Sequence, residues 1–298
     1  MLKVKNVTKY YGDFLAVDNL SFEVKEGEIF GLLGENGAGK TTTFRMILNL
    51  LLPDKGSITL NNKKIDYELS DEIGYLTEER SLLLKLTVKE MMIYYGSLKN
   101  MTKKQIEEKL DYYLNKFNIM EYKNKKIKEL SKGNAQKIQF ITSIINDPKL
   151  LILDEPFSGL DPINTSIFID IIKELKNKGT IIIFSSHQME TIELFCEKLL
   201  ILSKGKTILS GYLKDIKNKY KERKILLKAD TSKEELKKIN NVIEVIEAAD
   251  YYELLLSDEK YVEEVFEQVT KLKNVTKFEV VKLSLNEIFI KEVGNYEK

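Results

Sequence analysis

The stretch GENGAGKT, Gly34 to Thr41, places two glycines five positions apart and follows the second with Lys40 and Thr41. That is the spacing of a phosphate-binding loop. Glycines let backbone N–H groups turn inward around phosphate oxygens, and a helix opening there adds its positive dipole end. Gly34, Asn36, Gly37, Gly39 and Thr42 belong to this cradle. Lys40 is placed to bridge the β- and γ-phosphates, and the Thr41 hydroxyl to ligate Mg²⁺. A second stretch, LLILDEP, ends an apolar run in Asp154 and Glu155. Asp154 suits Mg²⁺ held through its water shell, and Glu155 suits the polarisation of an attacking water. An acidic pair at a strand end is by itself solvated surface. Downstream of a phosphate loop, it implies that the chain binds and hydrolyses a nucleoside triphosphate.

The elements that must position these groups follow from the pattern of apolar residues. EIFGLL reads as the strand before the loop and TTTFRMILNLL as the helix after it, stopping before Pro53 and the turn PDKG. From about Lys85 to Asp147 the chain is mostly helical. In KKQIEEKLDYYLNKFNI, Ile106, Leu110, Tyr113, Leu114 and Phe117 fall on one helical face. Strand–helix alternation then returns with KLLILDEP, NTSIFIDIIKELKNKG, TIIIFSSH, a helix over QMETIELFCEK, and LLILSKGKTILSG. Ile- and Leu-rich runs separated by helices imply a parallel sheet covered on both faces.

The 298 residues suffice for one large domain and a small one. With 47 basic and 46 acidic residues the net charge is +1, so no strong field draws the chain to nucleic acid, and no nucleic-acid partner is expected. The single cysteine, Cys196, forms no internal disulfide and sits in an apolar helical pattern, which reads as a buried, inert thiol. The first residues lack a signal-peptide pattern, and no uncharged apolar run approaches the ~18 residues of a membrane span. After about Lys219 all prolines have ceased and acidic residues outnumber basic ones. KILLKA, SKEELKKIN, VIEVIEAA, YYELLLS, EKYVEEVFEQVTKL, KFEVVKL and SLNEIFIKEVG alternate strand and helix as a small α+β unit. We therefore expect domains at 1–215, with a helical subdomain at about 85–147, and at 221–298.

LSKGN some twenty residues before LLILDEP, then SGLDP, then a His directly after IIIFSS, resembles the ATP-binding cassette (ABC) ATPases. The resemblance spans residues 1 to about 215 with every motif in family order. It implies a P-loop NTPase of α/β class, with ATP and Mg²⁺ as its ligands. It implies that two cassettes face each other head to tail, so that Ser131 and the N–H of Gly133 meet the γ-phosphate held by the partner's Lys40. Bulk at Gly133 would block that approach, and Ser131 also reads as an ordinary helix N-cap. Tyr11 matches the aromatic that stacks on adenine, with Tyr10 the alternative. Glu78 stands where the family has a Gln that touches Mg²⁺ and senses the transporter. Asp161 matches the loop linking the two cassettes, and His187, the only His, matches the switch residue on the γ-phosphate. Lys132 and Asn134 depart from the common signature LSGGQ, which implies an altered rate.

Three roles are open to such a cassette: transporter ATPase, soluble translation or repair protein, and regulatory ATPase. One cassette per chain, one Cys and no sustained heptad run favour the first. The tail SLNEIFIKEVG resembles the ending of bacterial exporter ATPases that carry a small C-terminal domain. The implied arrangement is a peripheral subunit on the cytoplasmic membrane face, with separate transmembrane permease subunits and a second cassette, identical or related.

Overall fold

The computed structural model describes residues 1–66, 68–79, 82–186 and 189–296, in two compact units, Met1–Ser210 and Gly211–Lys298. The first unit begins with β1 (Leu2–Tyr11) and β2 (Phe14–Val24), an antiparallel pair. Next come β3 (Ile29–Gly34) and α1 (Lys40–Ile47). β4 (Lys55–Leu60) and β5 (Lys63–Lys64) complete a four-stranded sheet in the order β2-β1-β4-β5.

β6 (Ile73–Leu76) leads into the helical segment. α2 (Val88–Leu98) and α3 (Lys103–Lys116) both open on capping boxes, Thr87 with Glu90 and Thr102 with Gln105, which satisfy backbone donors that a helix start leaves bare. α3 buries Ile106, Leu110, Tyr113 and Leu114, the face read from the sequence, and Phe117 just beyond it. α4 (Lys132–Ile144) starts at the Ser131 cap. Phe140 of α4 stacks on Phe168 at 4.3 Å, a contact between the helical segment and α5 (Pro162–Asn177), contributing about 1 kcal/mol beyond area burial.

β7 (Leu150–Asp154) and β8 (Ile181–Ser186) are buried at every residue, which is why they read as unbroken apolar runs. α6 (Met189–Glu193) is shorter than the helix expected over QMETIELFCEK. β9 (Lys198–Ser203) has to begin at Lys198 to pair with Phe30, so the chain leaves the helix before Cys196. With β10 (Lys206–Tyr212) the order is β10-β9-β3-β8-β7-β6, and β9, β3, β8, β7 and β6 are mutually parallel. Parallel strands put all their carboxyl ends on one edge, where α/β sheets hold ligands. Register sets Leu33 beside Ser186, Ser185 beside Asp154, and Leu153 beside Leu76. The phosphate loop, the acidic pair and the approach to Glu78 therefore converge.

The second unit holds α7 (Leu213–Lys219), β11 (Arg223–Asp230), α8 (Lys233–Leu236), β12 (Val242–Glu247), β13 (Tyr252–Leu256), α9 (Val262–Val269), β14 (Lys273–Lys282) and α10 (Leu285–Tyr296). Its antiparallel sheet runs β12-β13-β11-β14. Ile225, Leu227, Leu254 and Leu256 on one face pack with Leu236, Val265 and Val269 into a core of their own. On the other face Lys224 is paired with Glu253 and Glu287.

Candidate nucleotide-binding site

Gly34 ends β3 with φ 149°, and a Cβ there would sit 2.4 Å from the Leu202 carbonyl oxygen. Gly39 at φ 107° has the Ala16 carbonyl 2.7 Å from where its Cβ would be. At both positions backbone conformation and space exclude a side chain. The loop between them leads into α1, so Lys40 is its first residue. The Lys40 ammonium folds back to donate to the carbonyls of Gly34 at 2.7 Å and Glu35 at 3.0 Å. Burial lowers its pKa below the ordinary lysine value, while the carboxylates of Glu155, Asp154, Glu78 and Glu35 oppose that shift.

A cavity of about 430 Å³ opens over this loop, lined by Tyr11, Phe14, Asn36, Gly37, Gly39, Lys40, Thr41, Thr42, Glu78, Asp154 and Glu155 among others. Lys40 is its one cationic side chain among the described residues. At its mouth Tyr11 and Phe14 are exposed aromatic surface, 45% and 64% accessible, while Tyr10 does not line it. Thr41 Oγ1 donates to Asp154 Oδ2 at 3.2 Å, and Ser185 Oγ donates to Asp154 Oδ1 at 2.5 Å. Ser185 Oγ in turn accepts from the Glu155 N–H at 3.1 Å. Ser185 escaped the sequence reading; its signal, the polar pair that closes the apolar run IIIF, was there. Glu155 holds φ at 49°, in the left-handed region, where a residue other than Gly, Asn or Asp is uncommon.

The remaining residues expected from the sequence lie elsewhere or outside the described structure. Ser131 caps α4, accepting from the Asn134 N–H at 3.3 Å. Gly133 is the second residue of α4, and among the described residues a Cβ there would meet open space. Asp161 caps α5 by accepting from the Asn164 N–H at 2.9 Å, which holds its pKa below the ordinary value. None of the three lines the cavity. His187 lies outside the described residues.

Residues 17–158 match the family described as ABC transporter, and residues 211–293 match the C-terminal domain of the DrrA1-3-like ATP-binding proteins. An uncharacterised ABC transporter ATP-binding protein of Bacillus subtilis, YhaQ, is 45% identical over 99% of both chains. The chain belongs to the ABC transporter ATP-binding proteins. That confirms the family read from the motifs and from the tail. The lipopolysaccharide export ATP-binding protein LptB of Haemophilus influenzae is 34% identical over 76% of this chain and 97% of its own. A bacterial ABC transporter cassette solved as a dimer superposes with a TM-score of 0.66, at 25% identity, over 72% of this chain and 99% of that one. The fold is that of an ABC cassette, a P-loop NTPase, followed by a small α+β unit.

Proposed function

We propose that the chain is the ATP-hydrolysing subunit of an ABC transporter, driving export through separate membrane subunits. The observation that carries this reading is the convergence of Lys40, Thr41, Asp154 and Glu155 on one cavity at the carboxyl edge of a parallel sheet. Export is supported by the LptB relative and by the DrrA-like C-terminal domain. The non-transport reading has no comparable support, since the relatives are named as transporter components.

ATP is held by its triphosphate over the Gly34–Lys40 loop, with Lys40 leaving its carbonyl partners for the β- and γ-phosphates. Tyr11 is the adenine platform. The donor set fits Mg²⁺: Thr41 Oγ1 and an Asp154 carboxylate are hard oxygens within 3.2 Å of each other, with Glu78 in the same cavity. When bound, the cation would neutralise charge developing on the phosphate oxygens. Ser185 holds the Asp154 carboxylate through Oδ1 and the Glu155 backbone through its N–H. Glu155 orients the attacking water and takes its proton. His187 is assigned to the γ-phosphate on sequence position.

Ser131 and Gly133 belong to the site of a second cassette. Nothing among the described residues calls for glycine at 133: its φ is not positive and a Cβ would meet none of their atoms within 4 Å. The need for a bare backbone comes from outside the chain, and close approach to the other cassette's nucleotide supplies it. Asp161 lies on the corresponding link between the two copies. Closure around ATP moves the docked permease subunits, and product release reopens them. No helix among the described residues is long and apolar enough to span a membrane, and attachment at the cytoplasmic face is through those subunits. Residues 1–215 form the ATPase domain, with its helical subdomain at about 85–147, and 221–298 the accessory domain.

The test is co-purification. The tagged chain, gently solubilised from its own cell's membranes, is expected to retain a stoichiometric polytopic membrane protein. Recovery from the soluble fraction with no such partner would overturn the transport role while leaving the ATPase chemistry standing.

A further inference from the structure

Two glutamines one turn apart on α4, Gln136 and Gln139, reach into the loops that follow β7 and β6. Both are nearly inaccessible, 4% and 5% exposed. Gln136 Nε2 donates to the Pro156 carbonyl at 3.3 Å, immediately after Glu155. Gln139 Nε2 donates to Thr77 O at 3.2 Å, Thr77 Oγ1 at 2.9 Å and Glu79 O at 3.2 Å. Thr77 Oγ1 itself donates to Glu79 O at 2.5 Å, so its lone pairs are what Gln139 meets. The amide orientation is decided by chemistry: turned over, its oxygen would face three oxygens. The cost of this arrangement is visible, because the buried Gln139 Oε1 accepts no hydrogen bond among the described residues. A buried amide that leaves its own acceptor unsatisfied while gripping both sides of one residue calls for a reason beyond packing.

The residue between the two gripped positions is Glu78, and Glu78 lines the nucleotide cavity with Lys40, Thr41 and Asp154. We infer that Gln139 is a positioning residue: it fixes the Thr77–Glu79 loop, and through it the Glu78 carboxylate, to the helix that begins at Ser131. The inference rests on the reading of Glu78 as part of the ATP site. It gives α4 a double attachment. The amino end carries Ser131 and Gly133, which serve the other cassette's nucleotide, and eight residues on, Gln139 holds a carboxylate of this chain's own site. A shift of α4 on cassette closure is thereby transmitted to Glu78 through the two N–H donors of one amide, shared among three loop oxygens, without passing through the phosphate loop.

The test uses the full chain and the variants Gln139→Met, Glu78→Ala and their combination. Met keeps the shape of Gln and removes its donors. Gln139→Met is expected to lower kcat for Mg²⁺-ATP roughly tenfold, the scale of losing a residue that orients a site ligand, with KM within about twofold. In the protein without nucleotide, amides from Leu76 to Glu79 are expected to exchange with deuterium faster. In the Glu78→Ala background the same substitution is expected to change kcat by less than about twofold, since the group it positions is gone. A full, additive loss in the double variant would show that Gln139 acts elsewhere and overturn the inference, as would unchanged kcat and unchanged exchange in Gln139→Met. Should Gln139→Met fail to fold, Thr77→Val removes the hydroxyl from the other side of the contact and leaves α4 intact, and the same pattern is required of it. If Glu78→Ala by itself leaves turnover untouched, the reading of Glu78 fails, and the inference fails with it. Failure of the ATPase reading is distinct, appearing as wild-type protein without Mg²⁺-ATP hydrolysis.

Discussion

Thr41 Oγ1 and Asp154 Oδ2 lie 3.2 Å apart although 113 positions separate them in the chain. The contact joins the first turn of α1 to the end of β7, so the helix proposed to receive the phosphates and the strand that carries the acidic pair are held as one surface. Asp154 is 2% exposed, and its other oxygen is engaged by Ser185. The carboxylate is thus held from two sides by hydroxyls.

Thr41→Ala removes one of those hydroxyls and a proposed ligand of Mg²⁺. We expect Mg²⁺-dependent hydrolysis to fall by about 10- to 100-fold and the Mg²⁺ concentration for half-maximal rate to rise. Nucleotide affinity measured without divalent cation should change little, because Lys40 and the loop backbone are intact. A metal titration of steady-state hydrolysis decides it.

Gly133→Ala separates the needs of the fold from those of the assembly. Inside the chain the new methyl meets open space, and Ala is favoured over Gly in a helix by roughly 0.5–1 kcal/mol. The melting temperature is therefore expected to hold or rise. ATP-dependent dimerisation, followed by light scattering on a Glu155→Gln background expected to hold ATP unhydrolysed, is expected to be lost. A variant that dimerises normally would remove Gly133 from the interface.

With Lys40 as the proposed phosphate ligand, its titration is expected to set an alkaline limit on ATP binding. Its pKa lies below the ordinary 10.5, chiefly because of burial. Raising the pH therefore discharges it in the folded protein before it would in an unfolded chain, and affinity for the triphosphate should decline before pH 10.5. For stability the sign is opposite. Between the lowered value and 10.5 the unfolded state binds more protons, so this group makes folding more favourable as pH rises through that window. Fluorescent ATP titrations across pH, with urea melts alongside, separate the two.

Cys196 is expected to be silent toward thiol reagents until the protein unfolds. It is 5% exposed, its Sγ donates to Lys198 O at 2.8 Å, and burial pushes the thiol from 9.0 up to about 12. Below pH 9 the folded and unfolded thiols are both protonated. Above it the unfolded chain ionises first, so Cys196 withdraws stability between pH 9 and about 12. Cys196→Ala should flatten that part of the alkaline unfolding curve; an unchanged slope would show that other groups set it.

Leu254→Ala probes the second unit. Leu254 is fully buried in a core made only of residues from 225 onward, and its truncation is expected to cost about 2–5 kcal/mol. Limited proteolysis should then cut within 211–298 while the ATPase unit resists.

Much of this was legible in the sequence, for a local reason. The phosphate loop needs glycines at two places and a Lys–Thr pair after them, all within eight residues. Strands β7 and β8 declare themselves as apolar runs because both faces are buried. The face of α3 appeared residue for residue. Ser185 and Gln139 were hidden because their roles come from register and from contacts some thirty and sixty positions away. The true length of α6 was hidden as well: METIELFCEK has a helical period, but the pairing of Lys198 with Phe30 stops the helix early.

The backbone of Glu155 has a consequence for how this protein can be improved. A left-handed conformation suits Asn or Gly, and a Glu there stores backbone strain. With Glu155 as the proposed base, position 155 is where durability and turnover are expected to pull in opposite directions. A search for heat-resistant variants should repeatedly return Asn or Gly at this position, and each such protein should outlast the parent while hydrolysing almost nothing.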